Sequence, residues 1–465
     1  MKKIMIKNDR GKNRQSWKTR AAYWGCAGAL FILATSPVQA QQPWTLRKCI
    51  DHAIENNMQI KRQDISRQQK EVDVNTAKNA RLPDLNATAS ENFSFGRGLT
   101  ADNTYSNKNT NSTSFSLGTS VPLFTGMRIP RTLELNQLNL QAAMADLEKA
   151  KNDVSVQVAQ AYVQILYSME VCDVAQRQID IDSMQVYRLE QMVKNGKAAT
   201  AELAQQKAAL AQSKLTATQA VNEYRLNLLA LTQLLELPSP EGFSIARGIE
   251  NEEQHLERIK NMPLPLPDAI FREAVMEKPE VRAESLRLQG TEKSIDIAKS
   301  GGLPSLTFQA GLGSNYYKTN GYHADGFFKQ LKNNFSQYVG LSLNVPIFNR
   351  FEVRNQVKNA RLNQLSQLLQ LDNVKKALYK EIQQAYYNAV AALHKLESCE
   401  EAKLSNEEAF RLMSAKYEYG KANITEFNEV KNNLMKAESD LARSKYECLY
   451  QRAILDFYQG KEISF

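Results

Sequence analysis

Residues capable of acid–base, nucleophilic or metal chemistry are scattered along this chain. The four histidines fall in separate predicted elements, with no Ser/His/Asp or Cys/His grouping around any of them. The stretch GRGLTADNT at 96–104 lacks the strand and helix that a phosphate-binding loop requires. We therefore expect no enzymatic activity, no cofactor and no metal site. The histidines are His52, His255, His323 and His394.

Four cysteines follow Ala40, far apart in sequence and without CxxC spacing. Isolated cysteines on helical stretches are usually small buried apolar residues, and that is the role we predict for them. Whether any of them form disulfides stays open at this point. The four are Cys49, Cys172, Cys399 and Cys448.

One acidic pair has a regular spacing. Glu426 and Glu429 are three residues apart on a predicted helix, so both carboxylates project from one face. Taken alone, such a pair is most often a pair of solvated helix carboxylates. A functional role for the pair can be inferred only from the structural elements that carry it.

The N-terminus resembles a secretory signal. The first 20 residues carry eight Lys or Arg and one acid, and an apolar segment follows that ends in Val38-Gln39-Ala40. We predict a signal peptide over 1–40; the alternative is a single membrane anchor, against which Pro37 and the short apolar core argue. Without this segment, 51 Lys plus Arg stand against 49 Asp plus Glu. The charge therefore indicates no nucleic-acid partner.

The rest of the chain contains two copies of one sequence repeat. The phrase SVPLFTG at 120–126 recurs as NVPIFNR at 344–350, and GKA at 196–198 recurs as GKA at 420–422, both at an offset of 224. An offset of 221 pairs RLPDL at 81–85 with GLPSL at 302–306. Internal repeats of this kind are stronger evidence about the architecture than any single local motif. We predict a first repeat over 41–237, a linker over 238–267 and a second repeat over 268–465.

Each repeat contains a long stretch of helix formers. Between Pro130 and Pro238 there is no proline and one glycine, Gly196; after Pro346 there is no proline, and Gly420 interrupts. These patterns predict two helical hairpins, over 128–237 and 351–460, each turning at its glycine in a left-handed conformation. Apolar residues recurring at three and four predict coiled-coil packing along arms about 100 Å long.

Segments with apolar and polar residues in alternation precede each hairpin. We predict strands at about 85–95 and 113–123 in the first repeat, and at about 305–315 and 337–347 in the second. Their polar face is Ser, Asn, Gly, Thr and Gln with almost no charge, which is typical of transmembrane β-strands. Four strands are too few to close a barrel, and an open sheet edge is not tolerated in lipid. The strands must then be shared between copies of the chain.

The order of these features resembles the TolC-like outer-membrane efflux proteins, and the resemblance covers essentially all of the chain after the signal. It is carried by the two repeats, the LPxL entries, the VPLFTG and VPIFNR exits, and the hairpin tips MVKNGKAATAEL and YEYGKANITEF. It implies a mainly α fold with a membrane β-barrel portion. In that fold, three chains close a twelve-stranded barrel in the outer membrane of a Gram-negative bacterium, and an α-helical barrel continues it through the periplasm.

The resemblance also implies roles for single residues. Glu426, Glu429, Glu202 and Tyr417 would surround the channel constriction. Gly196, Lys197, Gly420 and Lys421 would form the hairpin tips that dock the adaptor. The family can have an arginine two residues after the second tip glycine; because this chain has Ala422, we expect Lys421 or Lys416 to hold the mouth closed instead.

The implied function is a passive duct for small molecules such as drugs and toxic compounds. The implied partners are two further copies of the chain, outer-membrane lipid, a periplasmic adaptor and an inner-membrane transporter of the RND, ABC or MFS type. Two alternatives remain: the outer-membrane channel of a type I protein secretion system, and a soluble periplasmic coiled-coil adaptor or scaffold. The second would leave the four strands without a role.

Overall fold

A computed structural model describes residues 43–99, 103–247 and 252–464. The predicted signal segment, 1–40, lies outside the described residues. The described chain forms ten helices and six strands. In order they are α1 Leu46–Asn56, α2 Met58–Asn79, β1 Asn86–Ser94, β2 Arg97–Leu99, β3 Tyr105–Asn107, β4 Thr110–Thr125, α3 Arg128–Lys194, α4 Thr200–Leu234, α5 Glu252–Asn261, α6 Pro267–Glu277, α7 Pro279–Ser300, β5 Ser305–Thr319, α8 Phe327–Asn333, β6 Ser336–Asn344, α9 Glu352–Glu418 and α10 Ile424–Tyr458.

The two repeats match helix by helix. The bounds of α1 and α2 recur in α6 and α7 at the sequence offset of 221, and those of α3 and α4 recur in α9 and α10 at the offset of 224. The offset changes only between α2 and α3, in the segment that contains the strands and their loops. The helices therefore keep one length in both repeats, and the strand loops are where the repeats differ.

Each repeat ends in a long helical hairpin, as the missing prolines predict. Helices α3 and α9 have 67 residues each, which is about 100 Å at 1.5 Å per residue. Gly196 and Gly420 both have a φ of +69° at the turn. The Lys197 amide donates to Met192 O at 2.8 Å and the Gly196 amide to Val193 O at 3.0 Å, and the second tip repeats both bonds. This Schellman arrangement satisfies the last carbonyls of the long arm.

No helix of the described residues combines the length and the apolar content needed to cross a membrane.

The sheet joins the two repeats. Its order is β1-β4-β5-β6, and every neighbouring pair is antiparallel. Strand β4 of the first repeat therefore pairs with β5 of the second repeat. One face is mainly apolar, as in the opposed pairs Leu117 with Leu312 and Val121 with Phe308. The other face carries the Ser, Thr, Asn and Gly residues. Strands β1 and β6 each have one unpaired edge within the described chain.

Two features of the strand region differ from the sequence prediction. Strands β4 and β5 have 16 and 15 residues and extend beyond the alternating pattern, because Thr110 pairs with Thr319 although both are polar. The two outer loops also contain structure: a short hairpin of β2 and β3 in the first, and helix α8 in the second. Polar residues on both faces leave no period for a sequence pattern to detect.

The doubled VPLFTG phrase marks a sharp backbone turn from strand to helix. Gly126 and Met127 have φ values of +60° and +66°, and their repeat counterparts Arg350 and Phe351 have +52° and +64°. Three of these four residues are not glycine, so the turn holds an unfavourable left-handed conformation in both repeats. At Gly126 a side chain is also excluded by packing, since an added Cβ would lie 2.7 Å from Leu303 Cβ and 2.9 Å from Ser300 O.

Two hydrophobic cores fill the region where short and long helices meet. The first packs α1 against α3, α4 and α10 around Cys49, Val158, Leu231 and Leu449. The second packs α6 against α9 and α10, and its buried members are Ile270, Ala274, Val281, Leu371, Leu378, Ile382, Ala385, Ala389, Ile454 and Leu455. Helix α10 contributes to both cores and so connects the two repeats.

The residue between the two short helices ties them to the end of the hairpin in both repeats. The side-chain amide of Asn57 donates to Leu234 O at 3.1 Å, and the Nζ of its repeat counterpart, Lys278, donates to Phe457 O at 2.9 Å. Lys278 is buried against the Phe457 ring, with its Nζ 3.6 Å from the ring centroid. Burial lowers the pKa of this ammonium to about 8. A donor at this position is favourable because the last carbonyls of a helix lack partners.

We predict that Gly126→Ala destabilises the folded chain more than Gly196→Ala does. Both glycines are left-handed, so both substitutions cost about 1–2 kcal/mol of backbone strain. Only Gly126 is also in contact with Leu303 and Ser300, whereas an added Cβ at Gly196 meets nothing within 4 Å. The thermal unfolding midpoints of the two detergent-extracted variants measure the difference. Equal losses would show that packing at the strand-to-helix turn is no tighter than at the hairpin tip.

Candidate functional site

The two hairpins pack against each other at their tips. Leu189 of α3 is buried together with Ile424 and Phe427 of α10. Half-buried apolar residues from the tip region of both hairpins surround this cluster: Ile181, Ala198, Leu203, Phe410, Met413 and Tyr417. The predicted constriction residues therefore lie on a shared hydrophobic support, which fixes the tip of one hairpin to the tip of the other.

Tyr417 is held directly against this support. Its ring stacks on Phe427 with centroids 4.9 Å apart, and the Arg188 guanidinium of α3 lies 5.8 Å from the ring centroid. Burial raises the pKa of the Tyr417 phenol, and the nearby Glu202 carboxylate raises it further, while Arg188 opposes both. Tyr417, Arg188 and Glu202 come from different helices, so the structure brings the predicted residues Glu202 and Tyr417 together within one chain.

Glu426 and Glu429 lie on the exposed side of the same tip. Glu426 also has a local role, because its carboxylate accepts from the Asn423 amide at 3.2 Å while Asn423 Oδ1 accepts from the Glu426 amide at 2.8 Å. This capping box starts α10. The sequence spacing predicted the shared face of the two carboxylates but not the cap. Glu202 starts α4 in the corresponding place and is also exposed.

The cation beside Tyr417 is Arg188 of α3, and that Lys416 or Lys421 holds the mouth closed stays a prediction. Lys416 and Lys421 are exposed, whereas Arg188 lies against Tyr417 and pairs with Glu418 at 3.7 Å. Arg188 and Glu418 are both partly exposed, so this ion pair contributes little stability by itself. Sequence reasoning missed Arg188 because it comes from the middle of a uniformly helical pattern in the other repeat.

The centre of a buried polar network lies about 12–21 Å along the helices from the turn glycines, at 1.5 Å per residue. The Asp182 carboxylate of α3 is fully buried and accepts from Gln178 at 3.2 Å, Gln206 at 2.9 Å, Ser213 at 2.5 Å and the Nζ of Lys431. Asn428 extends the network through a 3.0 Å bond to Gln206 Oε1 and one of 3.1 Å from Lys431.

This network joins three of the long helices. Asp182 lies on α3, Gln206 on α4 and Lys431 on α10, so one carboxylate connects the two hairpins. The repeat counterpart of Lys431 is Lys207, which instead pairs with Glu190 on the surface. A signal was present in the sequence, since Asp182 falls on the helix face of Val186 and Leu189, where the pattern requires apolar residues.

The polar face of the sheet carries its own hydrogen bonds. The hydroxyls of Thr88 and Ser116 are bonded at 2.5 Å, and those of Ser90 and Ser114 at 2.7 Å. Next to this ladder the Tyr338 ring lies across Gly311, where an added Cβ would be 2.7 Å from the ring. Glycine at 311 therefore makes room for a large aromatic side chain on a face of small polar residues.

Within the described residues, no three His, Cys, Asp or Glu side chains are grouped so that they could hold a metal ion. The four described cysteines are free thiols; Cys49 and Cys448 are buried, as predicted, and Cys172 and Cys399 are half-buried. The site is thus built from packing, ion pairs and exposed carboxylates.

We predict that Lys431→Met destabilises the contact between the hairpins by about 3–5 kcal/mol, because it leaves Asp182 charged and buried. Hydrogen exchange of the α10 amides and the thermal midpoint measure the loss. Lys207→Met is the matched control, since its ion pair is exposed and worth at most about 1 kcal/mol.

The double variant Asp182→Asn/Lys431→Met removes both charges and keeps one acceptor oxygen, which can serve Gln178 or Gln206. It should recover much of the stability lost by Lys431→Met alone. Equal effects of Lys431→Met and Lys207→Met would contradict a structural role for the buried pair.

Sequence comparisons place this architecture among known proteins. The family model described as "Outer membrane efflux protein" matches residues 49–236 and 270–461. The outer membrane protein TolC of Escherichia coli strain K12 is 24% identical over 386 residues, covering 81% of this chain and 74% of that protein. TolC of Vibrio cholerae is 21% identical over 341 residues, covering 70% and 72%. The two ranges matched by the family model coincide with the two repeats.

Solved structures show the same fold. The Campylobacter jejuni CmeC outer membrane channel superposes with a TM-score of 0.72 at 19% identity, covering 90% of this chain and 87% of that one. The Vibrio cholerae outer membrane protein VceC gives 0.71 at 16% identity, covering 90% and 97%. Because the family model spans both repeats, the chain belongs to the outer membrane efflux protein family: it is a TolC-type, non-enzymatic channel protein of the Gram-negative outer membrane.

Proposed function

We propose that three copies of this chain assemble into an exit duct for small molecules. Each copy contributes four strands to a twelve-stranded barrel, and α3, α4, α9 and α10 to a barrel of twelve helices. The observation that carries this proposal is the four-stranded sheet with open edges at β1 and β6. In lipid every backbone amide needs a partner, and single-chain barrels start at about eight strands. Pairing β6 of one copy with β1 of the next satisfies both edges.

The exposure of the sheet supports the same assembly. All nine residues of β1 and all nine of β6 are exposed within the chain. The apolar side chains of β6 include Val339, Leu341 and Leu343, which are 75%, 67% and 65% exposed. An apolar face of this kind suits contact with acyl chains. The hydroxyl ladder of Thr88, Ser90, Ser114 and Ser116 would then line the water-filled interior.

The duct is passive in this proposal. Its substrates are drugs and other toxic small molecules, delivered by an inner-membrane transporter of the RND, ABC or MFS type through a periplasmic adaptor. Energy would come from the transporter, because the chain belongs to a family of non-enzymatic channels.

The tips of the second hairpin form the constriction of the proposed duct. In a trimer, Glu426 and Glu429 supply six carboxylates around the axis, and their negative field attracts cations. Tyr417, with Glu202 beside it, stacks on Phe427 within the second hairpin, and the Arg188 guanidinium of the first hairpin lies over its ring. The buried pair of Asp182 and Lys431 fixes the same helices farther from the mouth.

We predict that Glu426→Gln/Glu429→Gln lowers the preference for cations several-fold in planar bilayers, because it removes six charges from the constriction of a trimer. Glutamine keeps the capping box with Asn423, so the helix start is preserved. Single-channel conductance and reversal potentials of the purified protein are the measurement.

Glu401→Gln/Glu407→Gln, which removes two exposed carboxylates farther up α9, is the control and should leave selectivity unchanged. If the tip variant conducts as the wild type does, the constriction lies elsewhere. If a folded trimer gives no channels at all, the duct itself is contradicted.

We also propose that the hairpin tips dock the adaptor. Lys197 and Lys421 are exposed, and each follows a left-handed glycine at which an added Cβ would meet no atom within 4 Å. A photo-crosslinker placed at either lysine should capture a co-expressed adaptor. The same group at the exposed Lys214, about 20 Å along α4, should not. Absence of any adduct from both tips, or equal capture at all three positions, would refute docking there.

A further inference from the structure

Helix α8, Phe327–Asn333, precedes β6 and is fixed to the edge of β5 beyond Ser336, where β6 begins. The Gln330 side chain accepts from the Tyr317 amide at 3.0 Å and donates to Tyr317 O at 3.1 Å. The Asn334 side chain donates to Asn315 O at 2.7 Å. Strand β6 pairs with β5 only as far as Gly313, so these side chains bond the part of the β5 edge that β6 leaves unpaired.

This attachment puts an aromatic residue of α8 on the apolar face of the sheet. The Phe327 ring lies 5.1 Å from the Tyr316 ring and 6.4 Å from the Phe115 ring, measured between centroids. Alternate residues of one strand share a face, and so do opposed residues of antiparallel strands. Phe115 and Tyr316 are therefore on the same face as Leu117 and Leu312. Helix α8 therefore lies on the face that we assign to lipid.

The height of α8 matches the outer border of a membrane. Along β5, Leu306 and Tyr316 are ten residues apart, which is roughly 33 Å at about 3.3 Å per residue. A strand tilted by about 40° spans about 25 Å of height over that length, the usual height of the apolar band. Phe327, beside Tyr316, thus lies where acyl chains give way to headgroups.

The exposed side of α8 has the composition of an interfacial segment. Phe328 is 84% exposed, and Lys329 and Lys332 are exposed next to it. Asp325 pairs with Lys329 at 2.8 Å, which leaves a positive excess on the helix. Exposed aromatic residues flanked by lysines are typical of positions where protein meets anionic headgroups.

We propose that α8 is an outer-leaflet anchor: Phe327 and Phe328 enter the upper acyl layer, and Lys329 and Lys332 bind the phosphate groups of anionic lipids. The inference depends on insertion of the sheet in the outer membrane and not on the nature of the cargo. Lipid is the expected partner of α8 because the apolar face of the sheet continues directly into this helix. The positive charge of the helix also complements phosphate.

Fluorescence quenching tests the position of α8. Phe328→Trp in the full protein, reconstituted in phosphatidylcholine vesicles, should be quenched by lipids brominated near the headgroup end of the chain, and little by aqueous iodide. The unsubstituted protein supplies the background from Trp44. Quenching by iodide alone would place α8 in water, and shielding from both quenchers would place it against protein; either result overturns the anchor.

Lipid binding tests the lysines. Native mass spectrometry with added phosphatidic acid should show affinity lowered about tenfold in Lys329→Gln/Lys332→Gln, because two positive charges near the anionic lipid are lost and Asp325 offsets only part of them. Lys214→Gln/Lys436→Gln, on the helical part, should bind as the wild type does. Equal binding by the two double variants would refute phosphate recognition. Channel conductance of both should match the wild type, which separates this test from that of the duct.

Discussion

Unpaired backbone at the edges of a small sheet is the constraint on which the rest of this structure depends. The sheet has four strands, and β1 and β6 each present a row of amides and carbonyls without partners in the described chain. Such edges cannot stay open in lipid, because an unpaired polar group there costs several kcal/mol. In the proposed assembly, closure through further copies would bring the long helices of each copy side by side. The helices would then cover one another's apolar stripes along arms of about 100 Å.

The two repeats solve the same local problem with different residues. Each one ties its short helices to the end of its hairpin with a buried donor, an amide at Asn57 and an ammonium at Lys278. Each turns from strand to helix through two consecutive left-handed residues, although only Gly126 among the four is glycine. Equivalent backbone geometry at different side chains indicates that the turn is set by the connection of strand and helix and not by residue preference.

The repeats diverge where the hairpins meet each other. Lys431 and Lys207 hold the same repeat position, yet Lys431 is buried against Asp182 and Lys207 pairs with Glu190 at the surface. Near the tips, Arg188 and Glu202 from the first hairpin lie beside Tyr417 of the second. The contacts between hairpins are therefore ionic as well as apolar. A buried ion pair of this type is specific in register, since a shift of one residue would leave both charges unpaired.

Much of the architecture was determined by the sequence alone. The doubled phrases, the absence of proline and the placement of Gly196 and Gly420 predicted both hairpins and their left-handed turns, because helix length and glycine conformation depend on residues close in the chain. The alternation of apolar and polar residues predicted the four strands for the same reason. The tertiary structure alone decided the partners of Asp182, the cation beside Tyr417, the length of β4 and the presence of α8. These depend on contacts between residues tens to hundreds of positions apart, and such contacts leave no local period in the sequence.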